Sequence, residues 1–120
     1  MTVPLTTEDL LRLVNDLDVG PVGDLGLLDS AAHRPHAVVY GREAYPGLDL
    51  KAAVLLDSLV GNHALVDGNE LLGWLAVVVF YGLNEVALEA SDDAAYELVM
   101  SVARREPSID EVAATLARWR

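Results

Sequence analysis

A histidine, an aspartate, a glycine and an asparagine fall within the seven residues His63-Ala64-Leu65-Val66-Asp67-Gly68-Asn69, and a long apolar run follows. Each residue type has a chemical use there. An imidazole with a pKa near ~6.5 accepts a proton at neutral pH, which makes His63 a candidate general base. Asp67 offers the hard oxygen that Mg²⁺ prefers. Gly68 permits a tight backbone, so the amides of Asn69 and its successors can turn toward an anion. The first amides of a helix lack partners inside it and carry the positive end of its dipole, which suits such a junction to polyphosphate. Seen alone, Asp-Gly-Asn before a helix is an ordinary turn and cap, so the pattern takes its meaning from the wider chain. The next two positions oppose it: a phosphate site calls for cations, and Glu70 and Leu71 supply an anion and an aliphatic side chain.

The elements that must hold this turn can be read from spacing. Thr6 and Asp9 form a variant capping box ahead of Leu10, Leu13, Val14 and Leu17, which share one face of a first helix ending near Gly20. Gly20-Pro21-Val22-Gly23 is a turn, and Leu25 to Ala32 predicts a short helix that stops before Arg34-Pro35. From His36 to Tyr40 the pattern becomes β-branched, and with Gly41 and Pro46 it predicts a short extended hairpin or flap. His33 and His36 read as flap or surface residues and not as metal ligands, since clear partner ligands are lacking. Asp49 is the expected cap of a third helix from about Leu50 to Asn62, which leads into the His63 turn. The fourth helix, about Asn69 to Asn84, is apolar nearly all round and is expected to be buried on every side, with Gly73 permitting a close crossing. Ser91, and Ser108 with Glu111, cap a fifth and a sixth helix. Trp74 is assigned to the core, and Trp119 is an expected anchor for the last helix.

Composition bounds the rest. A chain of 120 residues suits one compact domain, and 52% hydrophobic residues with few aromatics favour a helical fold. Nineteen acidic against eight basic residues give a formal charge of -11, which argues against direct DNA or RNA binding. The absence of cysteine excludes disulfides, thiolate metal sites and cysteine nucleophiles. Met1 to Leu5 lacks the pattern of a signal peptide, and the apolar run Leu71 to Leu83 is shorter than the roughly 18 to 20 residues of a membrane span. A cytoplasmic location without membrane attachment is the expectation.

The segments Leu5-Thr6-Thr7-Glu8-Asp9-Leu10, Gly26-Leu27-Leu28-Asp29-Ser30-Ala31, Arg34-Pro35, Tyr40-Gly41-Arg42-Glu43-Ala44-Tyr45-Pro46 and Lys51-Ala52-Ala53 complete the pattern around His63 to Asn69. Together they resemble the Doc branch of the Fic/Doc family, the toxin half of Phd-Doc toxin–antitoxin modules, whose motif runs His-x-Phe-x-Asp-Gly-Asn-Lys-Arg. The resemblance implies an all-α fold over residues 1–120, a compact helical bundle with a short β-hairpin flap that positions the target segment. It also implies a kinase that moves the ATP γ-phosphate onto a threonine of elongation factor Tu and halts translation. On that resemblance His63 is the catalytic base, Asp67 holds Mg²⁺, and Gly68, Asn69, Glu70 and Leu71 occupy the ATP-binding positions. The partner implied is the C-terminal segment of a Phd-like antitoxin, folding as an amphipathic helix into an apolar groove. The Fic inhibitory signature, Ser or Thr, three residues, then Glu and Gly or Asn, is absent from the chain, so control is expected from outside.

The sequence departs from the motif at four positions. Ala64 replaces a frequent proline and Leu65 stands for the apolar Phe, both tolerable; Glu70 and Leu71 replace the phosphate-binding Lys-Arg pair. A unit charge about 5 Å from a phosphate contributes roughly 2 to 3 kcal/mol at an effective dielectric near 20 to 40, and reversing its sign doubles the difference. An impaired kinase is therefore one expectation, and a noncatalytic antitoxin-binding homologue is its alternative. A Fic-type adenylyltransferase is disfavoured, since Gly and Arg would be expected at 70 and 71. For folding, Glu70 suits a first helical turn and Leu71 is expected to extend the apolar helix.

Overall fold

The chain order is α1 (Thr7–Leu17), α2 (Leu25–His33), a 3₁₀ turn (Arg34–His36), β1 (Val38–Val39), β2 (Arg42–Glu43), α3 (Leu48–Gly61), α4 (Asn69–Leu83), α5 (Asp92–Ala103) and α6 (Ile109–Arg118). These elements come from a computed structural model that describes residues 1–120. Six helices with one two-stranded antiparallel sheet make the fold all-α with a hairpin. No helix is long and apolar enough to cross a membrane.

The helix starts follow local chemistry. At α1 the Thr6 hydroxyl accepts from the Asp9 amide while the Asp9 carboxylate accepts from the Thr6 amide, and Ser108 and Glu111 repeat this reciprocal cap at α6. Asp24 and Ser91 cap α2 and α5 through one side-chain bond each. Such a bond satisfies one amide that a helix start leaves open and stabilises by ~1 kcal/mol. Helices α3 and α4 begin differently: glycines 47 and 68 hold the cap positions, and no side chain bonds the first amides.

Several expected boundaries shift. Asp49 is not the cap of α3, because that helix starts two residues earlier behind Gly47; the Asp49 carboxylate instead accepts from the Tyr81 hydroxyl at 2.7 Å and from Arg120 at 3.1 Å. That bond and burial push the Tyr81 phenol well above its ordinary range, with burial the larger cause. The chain also does not turn extended before Pro35. Arg34 keeps helical angles (φ -52°, ψ -42°), and the 3₁₀ turn carries proline where no amide is needed. The hairpin is correspondingly short, with Val38 opposite Glu43 and Val39 opposite Arg42. Tyr40 and Gly41 between the strands both take positive φ, as a two-residue turn of the right twist requires.

The core contains a contiguous cluster of 24 buried residues contributed by all six helices, with α3 at its centre. From Lys51 to Leu56 every residue of α3 is buried. Helix α4 crosses it at Gly73, where a Cβ would stand 2.8 Å from Val60 Cγ2. The expectation that α4 is covered on every side fails: Leu71, Val78 and Leu83 are exposed. Leu71, at 47% exposure, adds little to the core. Trp74 is half-buried rather than internal, and the Trp119 ring stands edge-on to it at 6.1 Å, which docks the end of α6 on α4.

Candidate active site

The loop from Asn62 to Gly68 joins the two central helices, and the turn between α1 and α2 clamps it. Backbone hydrogen bonds run from Gly23 and Asp24 to the Ala64 carbonyl (2.8 and 3.1 Å), from Val66 to the Pro21 carbonyl (2.9 Å) and from Gly20 to the Asp67 carbonyl (3.0 Å). Leu65 pairs with Val22 as an isolated antiparallel bridge and buries its side chain in the core, where it pins the loop. Val19 lies so close to Gly68 that a Cβ there would stand 2.6 Å from the valine Cβ, and Gly68 also takes φ 91°. Glycine is required at 68 on both counts.

Asn69 is a second staple. Its Oδ1 accepts from the Leu65 amide and its Nδ2 donates to the Leu65 carbonyl, both at 3.0 Å and both buried. The carboxamide is thus engaged inside the protein, and what Asn69 can present to an anion is its backbone amide. The amides of Asn69, Glu70 and Leu71 have no partner in the preceding turn; the first bond into α4 is that of Leu72 to the Gly68 carbonyl, at 3.0 Å. An uncapped helix start behind a left-handed glycine leaves amides of the kind that can receive an anion.

His63 and Asp67 sit on the exposed side of the same loop. His63 takes a left-handed φ of 54°, a strained conformation for a non-glycine residue, and its imidazole is solvent-exposed. Asp67 turns one oxygen, Oδ1, onto the Gly68 amide at 2.9 Å. No cluster of three or more histidine or carboxylate side chains forms a cage for a metal, so Asp67 fits a cation that arrives with other oxygens of its own. Glu70 and Leu71 follow directly, on the flank of an apolar groove of about 340 Å³ between α4 and α5, lined also by Trp74, Tyr96, Val99 and Met100.

The hairpin is held by two cations that sequence patterning does not single out as anchors. Lys51, 1% exposed, reaches out of α3 so that Nζ donates to Glu43 at 3.0 Å and to the Tyr45 carbonyl. A buried ammonium needs such partners. Arg34 donates to Asp57 and Ser58, both at 2.9 Å, and its guanidinium stands 5.6 Å from the Tyr45 ring centre. His36 stands edge-on to Phe80, and burial, assisted by the charge of Lys51, lowers its pKa below the usual imidazole value. The outer face of the hairpin, Val38 to Tyr40, is exposed.

An exposed histidine, a rigid Asp-Gly-Asn turn and an uncapped helix start form one constellation, and comparison with known proteins gives it a family. The model of the Fic/DOC family matches residues 4–81, which includes the hairpin, the clamp and the whole turn. The chain belongs to the Fic/DOC family. A member from Mycolicibacterium smegmatis, Toxin Doc, is 47% identical over 121 residues that cover 98% of this chain and 93% of that protein. Within the Fic/DOC fold, helices α5 and α6 lie outside the matched region, yet α5 supplies one wall of the groove beside Glu70.

Proposed function

We propose that this chain is the toxin of a toxin–antitoxin module, built on a Doc-type kinase site whose hold on nucleotide is weakened at positions 70 and 71. The observation that carries the reading is the clamped turn: it fixes the unbonded amides at the start of α4 in the same short segment as an exposed His63 and Asp67. The near end-to-end similarity to Toxin Doc supports the toxin role. In this reading the α4 amides and Gly68 receive the ATP phosphates, and His63 takes the proton of the target hydroxyl. Asp67 would hold Mg²⁺, which when bound neutralises phosphate charge. The hairpin, anchored by Lys51 and Arg34, presents the target, a threonine-bearing segment of a protein such as elongation factor Tu. Glu70 opposes the phosphates and Leu71 offers no fork to them, so transfer is slow.

A second reading, a noncatalytic antitoxin binder, is favoured by the position of Glu70 and Leu71 on the groove. Apolar floor and acidic edge suit an amphipathic antitoxin helix with basic flanks. The two readings separate by mass: the chain is incubated with Mg-ATP and purified elongation factor Tu. A gain of about 80 Da on the target marks phosphoryl transfer, about 329 Da marks AMP transfer, and no gain supports the binder. The same measurement on Glu70→Lys with Leu71→Arg should show the faster reaction. An unaltered target with both proteins would refute the kinase reading.

A further inference from the structure

The turn between α5 and α6 carries a cation that the site described above does not use. Helix α5 ends with the Arg105 amide donating to the Val102 carbonyl (3.0 Å) and the Glu106 amide donating to the Ser101 carbonyl (3.1 Å). This pair of bonds is a Schellman motif, whose closing residue takes a left-handed backbone and is usually glycine. Here that residue is Arg105, at φ 57°. An arginine kept at a strained position invites a functional reason.

Its surroundings supply one. The neighbouring Arg104 is tied to Glu106 at 3.1 Å, whereas Arg105 forms no ion pair, in a chain with nineteen acidic residues. Its guanidinium lies against Gly61, where a Cβ would stand 3.4 Å from Nη2. Gly61 is the last residue of α3, two before His63. The loop that follows Gly61 carries His63 and runs directly into the start of α4, and α5 flanks that start along the groove it shares with Glu70 and Leu71. The free guanidinium, the exposed imidazole and the uncapped amides therefore share one end of the bundle.

We propose that Arg105 is a phosphate-binding residue of this site, supplying from the α5–α6 turn the positive charge that positions 70 and 71 lack. The proposal rests on the nucleotide-binding reading above. A guanidinium can pair two phosphate oxygens at once, and neither Glu70 nor Leu71 can. The competing role is structural: a cation over the last carbonyls of α3, acting on the helix dipole.

Calorimetric titration with Mg-ATP separates the two, using the unaltered chain, Arg105→Gln, Arg105→Lys and Arg105→Gly, with melting temperatures measured alongside. Arg105→Gln should weaken binding by about tenfold or more, the scale of one charge-assisted bond, and Arg105→Lys should recover part of it. Arg105→Gly relieves the left-handed strain, so it should melt no lower than the parent and still bind more weakly. A structural cation cannot produce that split. In the background Glu70→Lys with Leu71→Arg, the Arg105→Gln change should matter less, because the charge is then redundant. Equal Mg-ATP affinity in parent, Arg105→Gln and Arg105→Gly would overturn the proposal and leave nucleotide binding standing. Binding only after Glu70→Lys with Leu71→Arg would also overturn it. If none of these chains binds Mg-ATP, the nucleotide reading itself fails and Arg105 falls with it.

Discussion

Replacing Asn69 by alanine tests whether the turn is built by its side chain or merely decorated by it. The carboxamide closes two buried bonds to one residue, the Leu65 amide and carbonyl, each at 3.0 Å, and Asn69 itself is 6% exposed. Truncation leaves two buried backbone groups without partners, at roughly 1 to 3 kcal/mol each. Alanine recovers a few tenths of a kcal/mol as the better helix former, so the net loss is about 2 to 5 kcal/mol. For a chain of this length 1 kcal/mol moves the melting temperature by about 4 °C, which gives a drop of about 8 to 20 °C. Asn69→Asp should be nearly as harmful, because it presents an acceptor to the Leu65 carbonyl where a donor is needed. Urea unfolding measures the loss, and amide exchange locates it: Leu65 and Val66 should lose protection before the centre of α3 does. Unfolding free energy within about 0.5 kcal/mol of the parent would refute the staple. If such a stable variant also bound Mg-ATP more weakly, the carboxamide would face the ligand and not the loop.

Other perturbations read other parts of the structure. Gly73→Ala should destabilise by about 1 kcal/mol, since overpacking against Val60, 2.8 Å away, outweighs the gain in helix propensity; chemical denaturation of Gly73→Ala with and without Val60→Ala checks it. Lys51→Met should change unfolding free energy by less than about 1 kcal/mol, because methionine fills the stem's space and Glu43 is already solvated, yet the amides of Arg42 to Ala44 should exchange faster. Unchanged exchange there would remove Lys51 as the flap anchor. The folded-state pKa of His36 lies below its ordinary 6.5, chiefly through burial, so its contribution to stability is present above pH 6.5 and is lost as pH falls from there through the lower folded value. His36→Gln should flatten the decline in melting temperature as pH falls below about 6.5.

Features set by local chemistry are legible in the sequence. The capping boxes at Thr6 and Ser108 depend on residues three apart, and the close approach at Gly73 is the use a glycine inside an apolar helix announces. The docking of Trp119 is readable for the same reason, as a large apolar group at the end of an amphipathic helix. What is not legible depends on segments distant along the chain. The clamp between residues 20–24 and 64–67 joins two irregular stretches through backbone groups, which carry no residue signature beyond a Gly-Pro-Val-Gly turn. Sequence overstates the burial of α4, because composition gives how apolar a helix is and not how many neighbours cover it; α3 takes the central place, even with Lys51 in its buried face. Asp49 is a favoured cap by type, but Tyr81 and Arg120, 32 and 71 residues away, claim its carboxylate. Position within the motif likewise cannot reveal that the Asn69 side chain points back to Leu65.

The loop's supports explain how the motif can survive a change at 70 and 71. Leu65 in the core, Val19 against Gly68, the Asn69 staple and the backbone bonds from the α1–α2 turn fix its shape, and none of them uses a cation. The side chains of Glu70 and Leu71 point instead to a partly exposed flank, where a charge reversal costs the fold little. The supports of the turn and the positions where the proposed phosphate contacts would fall are therefore different residues, and one set can change without the other. Leu71, 47% exposed at the edge of the α4–α5 groove, extends an apolar surface at the position where the resemblance predicts arginine. On the proposed reading, a residue pair that weakens a nucleotide cradle here also enlarges the apolar surface an antitoxin helix would use, so affinity for partner and for nucleotide should move in opposite directions across variants at 70 and 71.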